Sequence, residues 1–364
     1  MSSELDDAER YKVVDLPFYR EWVAPVLPPR ILDFHTHAWT REQWKEQPWR
    51  TGTTGGKYMV VEQDYTPEQL LADERRLFPD RDVNVVLFGH ATPAVDIKQT
   101  NACVADAGLR HSNVFPLIVA GKGLMPIEQL KASLLDGGFF GYKVLLCWIG
   151  DNYGSVQVDD MLGPDEMALA EEMRLVVLLH LPSAGRLADK NIQAGVRRWA
   201  CEYPHANIVL AHCGRCYHPD DMSASVSSIA DLKNVYLDTS MVMDPLTLQI
   251  VFDHMPSSRV LFGTDLPIAI MRGRRVYVMD HWVDIVLKGY PESRFRVASD
   301  DIHATFMAWE IVVAIRHAAE NVGLGNEQTR AIFRDNGMRI LEQVMNGRAL
   351  EMKGNSGKGQ GGGA

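Results

Sequence analysis

The chain of 364 residues lacks the marks of export, membrane insertion or nucleic-acid binding. It has only five cysteines, at 103, 147, 201, 213 and 216, and they form no staple pattern. Cys213 and Cys216 make a lone CGRC. No second CxxC follows to complete a zinc knuckle, and the motif does not open a helix near the N-terminus as a thioredoxin-like site would. The expected compartment is reducing and cytoplasmic. No apolar run approaches a membrane span. The start, MSSELDDAERYK, is polar and acidic with no apolar core, so no secretory signal is expected. A net charge of -10, from 47 acidic and 37 basic residues, speaks against a nucleic-acid partner. Neither GxGxxG nor GxxxxGK[ST] occurs, which removes the common nucleotide fingerprints. What remains is an ordinary globular composition, 46% hydrophobic and 23% charged, long enough for one large α/β domain or two smaller ones. The expected partner is a small molecule. A homo-oligomer is compatible with the sequence, which fixes no interface.

Eight short apolar runs are present: ILDFH (31–35), VNVVLFG (83–89), VFPLIVAG (114–121), GYKVLL (141–146), LVVLLHL (175–181), NIVLAH (207–212), NVYLDT (234–239) and RVLFGTD (259–265). They are rich in Val, Ile and Leu and mostly do not alternate, as expected of parallel strands buried on both faces. The intervals hold helical patterns such as 66–78, 127–137, 163–173 and 192–203. Thr66-Pro67 puts a proline at a first helical position. Two more helices are expected at 303–322 and 328–345. Eight strands with helical crossovers predict a (β/α)8 barrel rather than an open doubly wound sheet, whose first strand would be followed by a glycine fingerprint.

The expected organisation is an extended N-terminal arm over 1–29, a barrel with C-terminal helices over 30–348 and a flexible glycine-rich tail over 349–364. Two long insertions follow the first and eighth runs. One spans 39–63, with Trp39, Trp44, Trp49 and TGTTGG; the other is PIAIMRGRRVYVMDHW. Both leave C-terminal strand ends, the active face of a barrel. Each is a candidate pocket wall, and the tryptophans serve equally well to pack a loop onto the body.

The polar residues of the runs fall in one place. His35 and His37 are two apart, so they share a face of a strand. Lys143, His180, His212 and Asp265 each stand at or near the end of another apolar run. Buried ionisable groups are costly unless paired or metal-bound. Six of them at one rim share an explanation in a metal site. Imidazole and carboxylate donors suit Zn2+, with Mn2+, Fe2+, Ni2+ or Co2+ as alternatives, as one or two ions. Arg215, and Arg272, Arg274 and Arg275 in MRGRR, are candidate substrate-binding residues for an anionic molecule. Cys213 and Cys216 read as small buried residues rather than thiolate ligands.

HxH, a lysine, two histidines and an aspartate on successive strands, with DFHTH, LAHCGR and LFGTDLP, resemble the amidohydrolase superfamily in its amidohydrolase-related branch. The resemblance spans about residues 30–345. That branch includes metal-dependent hydrolases, lactonases and decarboxylases related to aminocarboxymuconate-semialdehyde decarboxylase. It implies that His35, His37, His180 and Asp265 ligate metal. Asp265 also handles the water proton, and His212 binds a second metal or polarises substrate. Lys143 would bridge two metals if carboxylated, and Asp238 would support a ligand histidine. The expected activity is hydrolysis of an amide, lactone or ester by metal-activated water, with Asp265 and His212 catalytic. The alternatives are a metal-dependent decarboxylase of an aromatic or unsaturated acid, and a non-catalytic metal-binding regulatory barrel.

Overall fold

The computed structural model describes residues 5–45, 64–90, 92, 94–149, 152–278, 281–290, 295–299 and 303–358. Trp49, TGTTGG and residues 359–364 lie outside them. The chain is an α/β fold of parallel strands with helical crossovers. β1 (Arg30–His37), β2 (Asp82–Phe88) and β3 (Val114–Pro116) form one sheet in that order. β4 (Ile118–Val119), β5 (Gly141–Val144), β6 (Val176–Leu179), β7 (Asn207–Leu210), β8 (Val235–Asp238) and β9 (Val260–Leu261) form a second, six-stranded sheet. All of these pairs are parallel. β3 and β4 are two halves of one expected run, separated at Leu117, whose N–H donates to Leu87 O at 2.8 Å. Backbone bonds also join β1 to the chain around β9: Phe34 N–H to Phe262 O (2.9 Å), Asp265 N–H to His35 O (2.8 Å) and His37 N–H to Leu266 O (2.9 Å).

The strands from β5 to β9 are buried along their whole length, which is why they read as unbroken apolar runs. The helices ahead of β2 and β3 are capped by side chains. Thr66 accepts from Gln69 N–H ahead of Pro67–Leu77, and Asp96 accepts from Lys98 and Gln99 N–H ahead of Ile97–Arg110. The helix expected at 328–345 is broken into Asn326–Ile332 and Asp335–Lys358. The break has a structural use. The freed carbonyls of Ile332 and Phe333 accept from Phe262 N–H (3.0 Å) and Leu32 N–H (2.8 Å), tying the last helices to the chain just past β9 and to the entry end of β1. The final helix extends into the stretch from 349 read as a tail.

Two expectations differ from the structure. The N-terminal arm is helical over 7–23 rather than extended, with π-helical turns at Tyr11–Asp15 and Tyr19–Val23 on either side of Pro17. Its apolar side is held by Tyr19 against Trp309, ring centroids 5.4 Å apart. The segment after β9 is not a loop. Gly273–Val278 (β10), His281–Leu287 (β11) and Arg296–Ser299 (β12) make a separate three-stranded sheet, β10 antiparallel to β11 and β11 parallel to β12. Among the described residues no helix is long and apolar enough to cross a membrane.

Candidate metal centre

The C-terminal ends of the strands open into a cavity of about 490 Å³. Its floor gathers His35, His37, Lys143, His180, His212 and Asp265, all six of the expected groups. Local glycines make this convergence possible. Gly141 has φ +154°, and a Cβ there would lie 2.0 Å from Val176 O, so only glycine lets β5 approach β6 and carry Lys143 inward. The backbone is also strained at this rim. Of the eight non-glycine residues with positive φ among the described residues, Ser183, Arg186, His212, Cys213, Arg215, Met241 and Asp265 follow β6 to β9, and only Arg174 lies elsewhere. Each such residue costs about 1 kcal/mol, so the fold tolerates a concentrated cost where it aims His212, Arg215 and Asp265.

His35 is 1% exposed, and its Nδ1 lies 2.9 Å from Asp238 Oδ2. That contact makes Nδ1 the donor and turns the Nε2 lone pair toward the cavity. His37 does likewise, with Nδ1 3.4 Å from Gly89 O. The two Nε2 atoms lie 3.4 Å (His35) and 3.2 Å (His37) from Asp265 Oδ1. His35, His37 and Asp265 thus offer three donor atoms within 4.8 Å of one another, all buried, a donor set that suits a divalent cation. Burial pushes the Asp265 carboxyl up to about 6. Burial, followed by the charge of Lys143, holds the imidazole of His37 down at about 3 and that of His35 well below its ordinary value. Both rings are therefore neutral, the form a metal requires.

His35, His212 and Asp238 form a second group of the same compactness. Here Asp238 is already fully used. It takes the His35 ring on Oδ2, and the N–H groups of His212 (2.9 Å) and Ser240 (3.1 Å) and the Ser240 hydroxyl on Oδ1. His212 Nδ1 is 2.8 Å from Ser240 Oγ and 3.1 Å from Ser240 O, so its Nε2 also faces inward. The two groups together fit one or two divalent ions. Lys143 is fully buried, its Nζ 3.0 Å from His35 Nε2 and 4.3 Å from the Phe88 ring centroid. Burial lowers its pKa to about 8. His180 stacks edge-on to His212 at 5.0 Å and is not part of either group.

The four arginines separate. Arg215 and Arg275 line the cavity. Arg215 Nη1 donates to Leu181 O (2.9 Å) and Ser183 O (3.2 Å), with no carboxylate beside it among the described residues. Arg275 is held by Asp284 through Nε (2.7 Å) and Nη2 (3.0 Å) and lies 3.8 Å over Trp282. Arg272 and Arg274 stand off the cavity. Arg272 is clamped by Asp15 (2.6 Å) and Asp7 (2.7 Å) of the N-terminal helix and covers Phe306. Arg274 donates to Met243 O and sits 3.5 Å from Glu310, on the opposite face of β10 from Arg275. Strand alternation turns Arg274 away from the side on which Arg275 meets this cavity.

The expected wall segment PIAIMRGRRVYVMDHW does line the cavity, through Arg275 and Trp282 among others, whereas Tyr153, Arg186, Tyr217, Phe295 and His90 were missed. Only His90 carried a signal, as an ionisable residue just past the end of a strand. Trp39 and Trp44 are buried and back the wall through His90 rather than lining it. Cys213 and Cys216 are buried, and burial raises both thiols, Cys216 to about 12, which agrees with their reading as inert packing residues.

The amidohydrolase family profile matches residues 32–342. No curated protein matches the chain in sequence. Among solved structures it is similar to an amidohydrolase from Burkholderia multivorans with bound zinc (13% identity, TM-score 0.54, 86% of this chain and 99% of that one). It is also similar to 4-oxalomesaconate hydratase from Rhodopseudomonas palustris (16%, TM-score 0.55, 89% and 99%). A third is 2,6-dihydroxybenzoate decarboxylase in complex with 2,6-dihydroxybenzoate (14%, TM-score 0.50, 87% and 99%). With a profile match over most of its length and buried His and Asp donors grouped in its cavity, the chain belongs to the amidohydrolase family, as a metal-dependent enzyme.

Proposed function

We propose that the protein is a metal-dependent hydrolase of a small anionic substrate, built on a closed (β/α)8 barrel with the reaction at its C-terminal rim. The bonds between β1 and the chain around β9 support closure. The observation that carries the function is the convergence of His35 Nε2, His37 Nε2 and Asp265 Oδ1 in the cavity floor. When bound there, a divalent ion, Zn2+ by the donor set, supplies Lewis acidity toward water and a carbonyl. The chain's residues do the rest. Asp238 keeps the His35 ring in register. Asp265 accepts the proton from water and returns it to the leaving group. His212, its Nδ1–H on Ser240 O, turns the Nε2 lone pair inward, where it suits a second ion. Arg215, oriented by two carbonyls, offers its remaining N–H groups to a substrate carboxylate. His180 and Lys143 complete the floor, and Lys143 would join two ions if carboxylated.

The aromatic wall supports a second reading, decarboxylation. Trp282 and Phe295 stack at 4.9 Å, a surface that suits a planar unsaturated acid. One assay separates the two. The zinc-loaded protein is offered carboxylate-bearing lactones, esters and amides, and separately aromatic and unsaturated acids. Appearance of a new carboxylic acid supports hydrolysis, and CO2 release supports the lyase. A metal-free preparation that turns over as fast would end both readings.

A further inference from the structure

His90 is a cavity residue without a task in the chemistry above. It follows β2 by two residues, and its placement is built. A Cβ at Gly89 would come within 2.1 Å of Thr100 Oγ1, so only glycine lets the chain pass the helix Ile97–Arg110 before turning His90 into the cavity. Gly89 also lends its carbonyl to His37 Nδ1. The His90 ring centre is 6.0 Å from that of His37, 5.2 Å from Trp44 and 6.0 Å from Trp39, the last edge-on.

Three rings of the floor have Nδ1 held: His35 by Asp238, His37 by Gly89 and His212 by Ser240. His90 has neither engaged among the described residues. Its Nδ1 is buried with no hydrogen-bond partner, while its Nε2 stays accessible on the cavity side. A half-buried imidazole whose Nδ1 is buried without a partner is a cost that folding alone does not explain. The two tryptophans fix the ring, so little is lost in ordering it when a ligand arrives.

We propose that His90 is a substrate-contacting residue, its neutral imidazole donating from Nε2 to an oxygen of the group held at the metal. The proposal rests on the metal-site reading above. It assigns His90 to substrate and not to the ion, because the ring stands beyond His37 from the three donor atoms and joins no compact donor group.

The test uses the full-length zinc-loaded protein and benzohydroxamate, a probe whose two oxygens chelate a divalent ion. Zinc content is measured by elemental analysis, and affinity by calorimetry, for the wild type, His90→Phe and His90→Gln. The expected result is full zinc content in all three, at least tenfold weaker probe binding in His90→Phe and substantial recovery in His90→Gln. In 15N-histidine-labelled protein, the His90 ring nitrogen signals should move on adding the probe. Equal affinity in His90→Phe, or unmoved His90 signals with the probe bound, overturns the proposal. So does loss of zinc in the variants, which would make His90 a support of the ion. Should His90→Phe fail to fold, the labelled wild type and His90→Gln decide. A wild type that takes up no zinc instead defeats the metal-site reading itself, and this inference with it.

Discussion

The floor and the outer wall of the cavity are built by different physics. The floor stands on the ends of β1 and β5 to β9, where backbone ladders fix every Cα and only the side-chain ends are polar. The wall takes Trp282 and Phe295 from the β10–β12 sheet and its edge, which is tied down by side-chain pairs such as Arg275 with Asp284 and Arg272 with Asp15, and Tyr153, Arg186, Tyr217 and His90 from segments past the inner strands. Chemistry that needs fixed geometry is placed on the first. Features that sort substrates by charge and shape are placed on the second. Substitutions should therefore divide by region, with metal and turnover following the floor, and stability and selectivity following the wall.

The sharpest break of this contrast is on the floor. Asp265→Ala removes both a metal donor and the proton acceptor, and should cut turnover about 10³-fold or more with the fold retained. A circular dichroism melt beside the rate assay checks it. Next in size is a wall effect of another kind. Arg272→Met leaves Asp15, fully buried, without its cation. It should cost roughly 3–5 kcal/mol in denaturant unfolding, with zinc stoichiometry unchanged in the fraction that remains folded. Asp238→Asn, which disturbs the tautomer of His35, should weaken zinc binding about 10–100-fold, read by competition with a chelating dye. Arg215→Met should raise KM about tenfold for carboxylate-bearing substrates, the worth of a charged hydrogen bond, and leave an uncharged analogue alone. Equal effects on both analogues would move Arg215 from selectivity to structure.

The smallest effect is in pH. Zinc binding needs the Asp265 carboxylate, whose pKa burial raises to about 6, so protons compete below that value. His37 is already neutral down to about pH 3, and His35 is also held far below its ordinary value. Affinity should be flat above about pH 6 and fall about tenfold per pH unit beneath it. A steeper fall beginning at 6.5 would mean that the histidines titrate as ordinary ones.

The same division explains what the sequence revealed. Buried parallel strands must be apolar, so a histidine, lysine or aspartate at a strand end stands out, and His35, His37, Lys143, His180, His212 and Asp265 were all legible in that way. The sheet that carries part of the wall was not. β10 to β12 carry mixed exposure and lack the apolar runs of the inner strands, so GRRVYV reads as a loop. Arg272 and Arg275 look alike in sequence. Their difference comes from acids distant in the chain or on the neighbouring strand, Asp15 and Asp284, which no local pattern pairs with them. The N-terminal arm misled through Pro17, which a π-helical geometry absorbs once Tyr19 packs on Trp309. His90 falls between the two cases, since its position past a strand end was visible and its lack of a partner was not.

The central claim is that His35, His37 and Asp265 hold the ion on which activity depends. Its most direct test is elemental analysis and turnover of the wild type and His37→Ala after chelator dialysis and return of zinc. The account predicts zinc and activity restored in the wild type, and neither restored in a folded His37→Ala. Zinc retained and turnover intact in His37→Ala would contradict it.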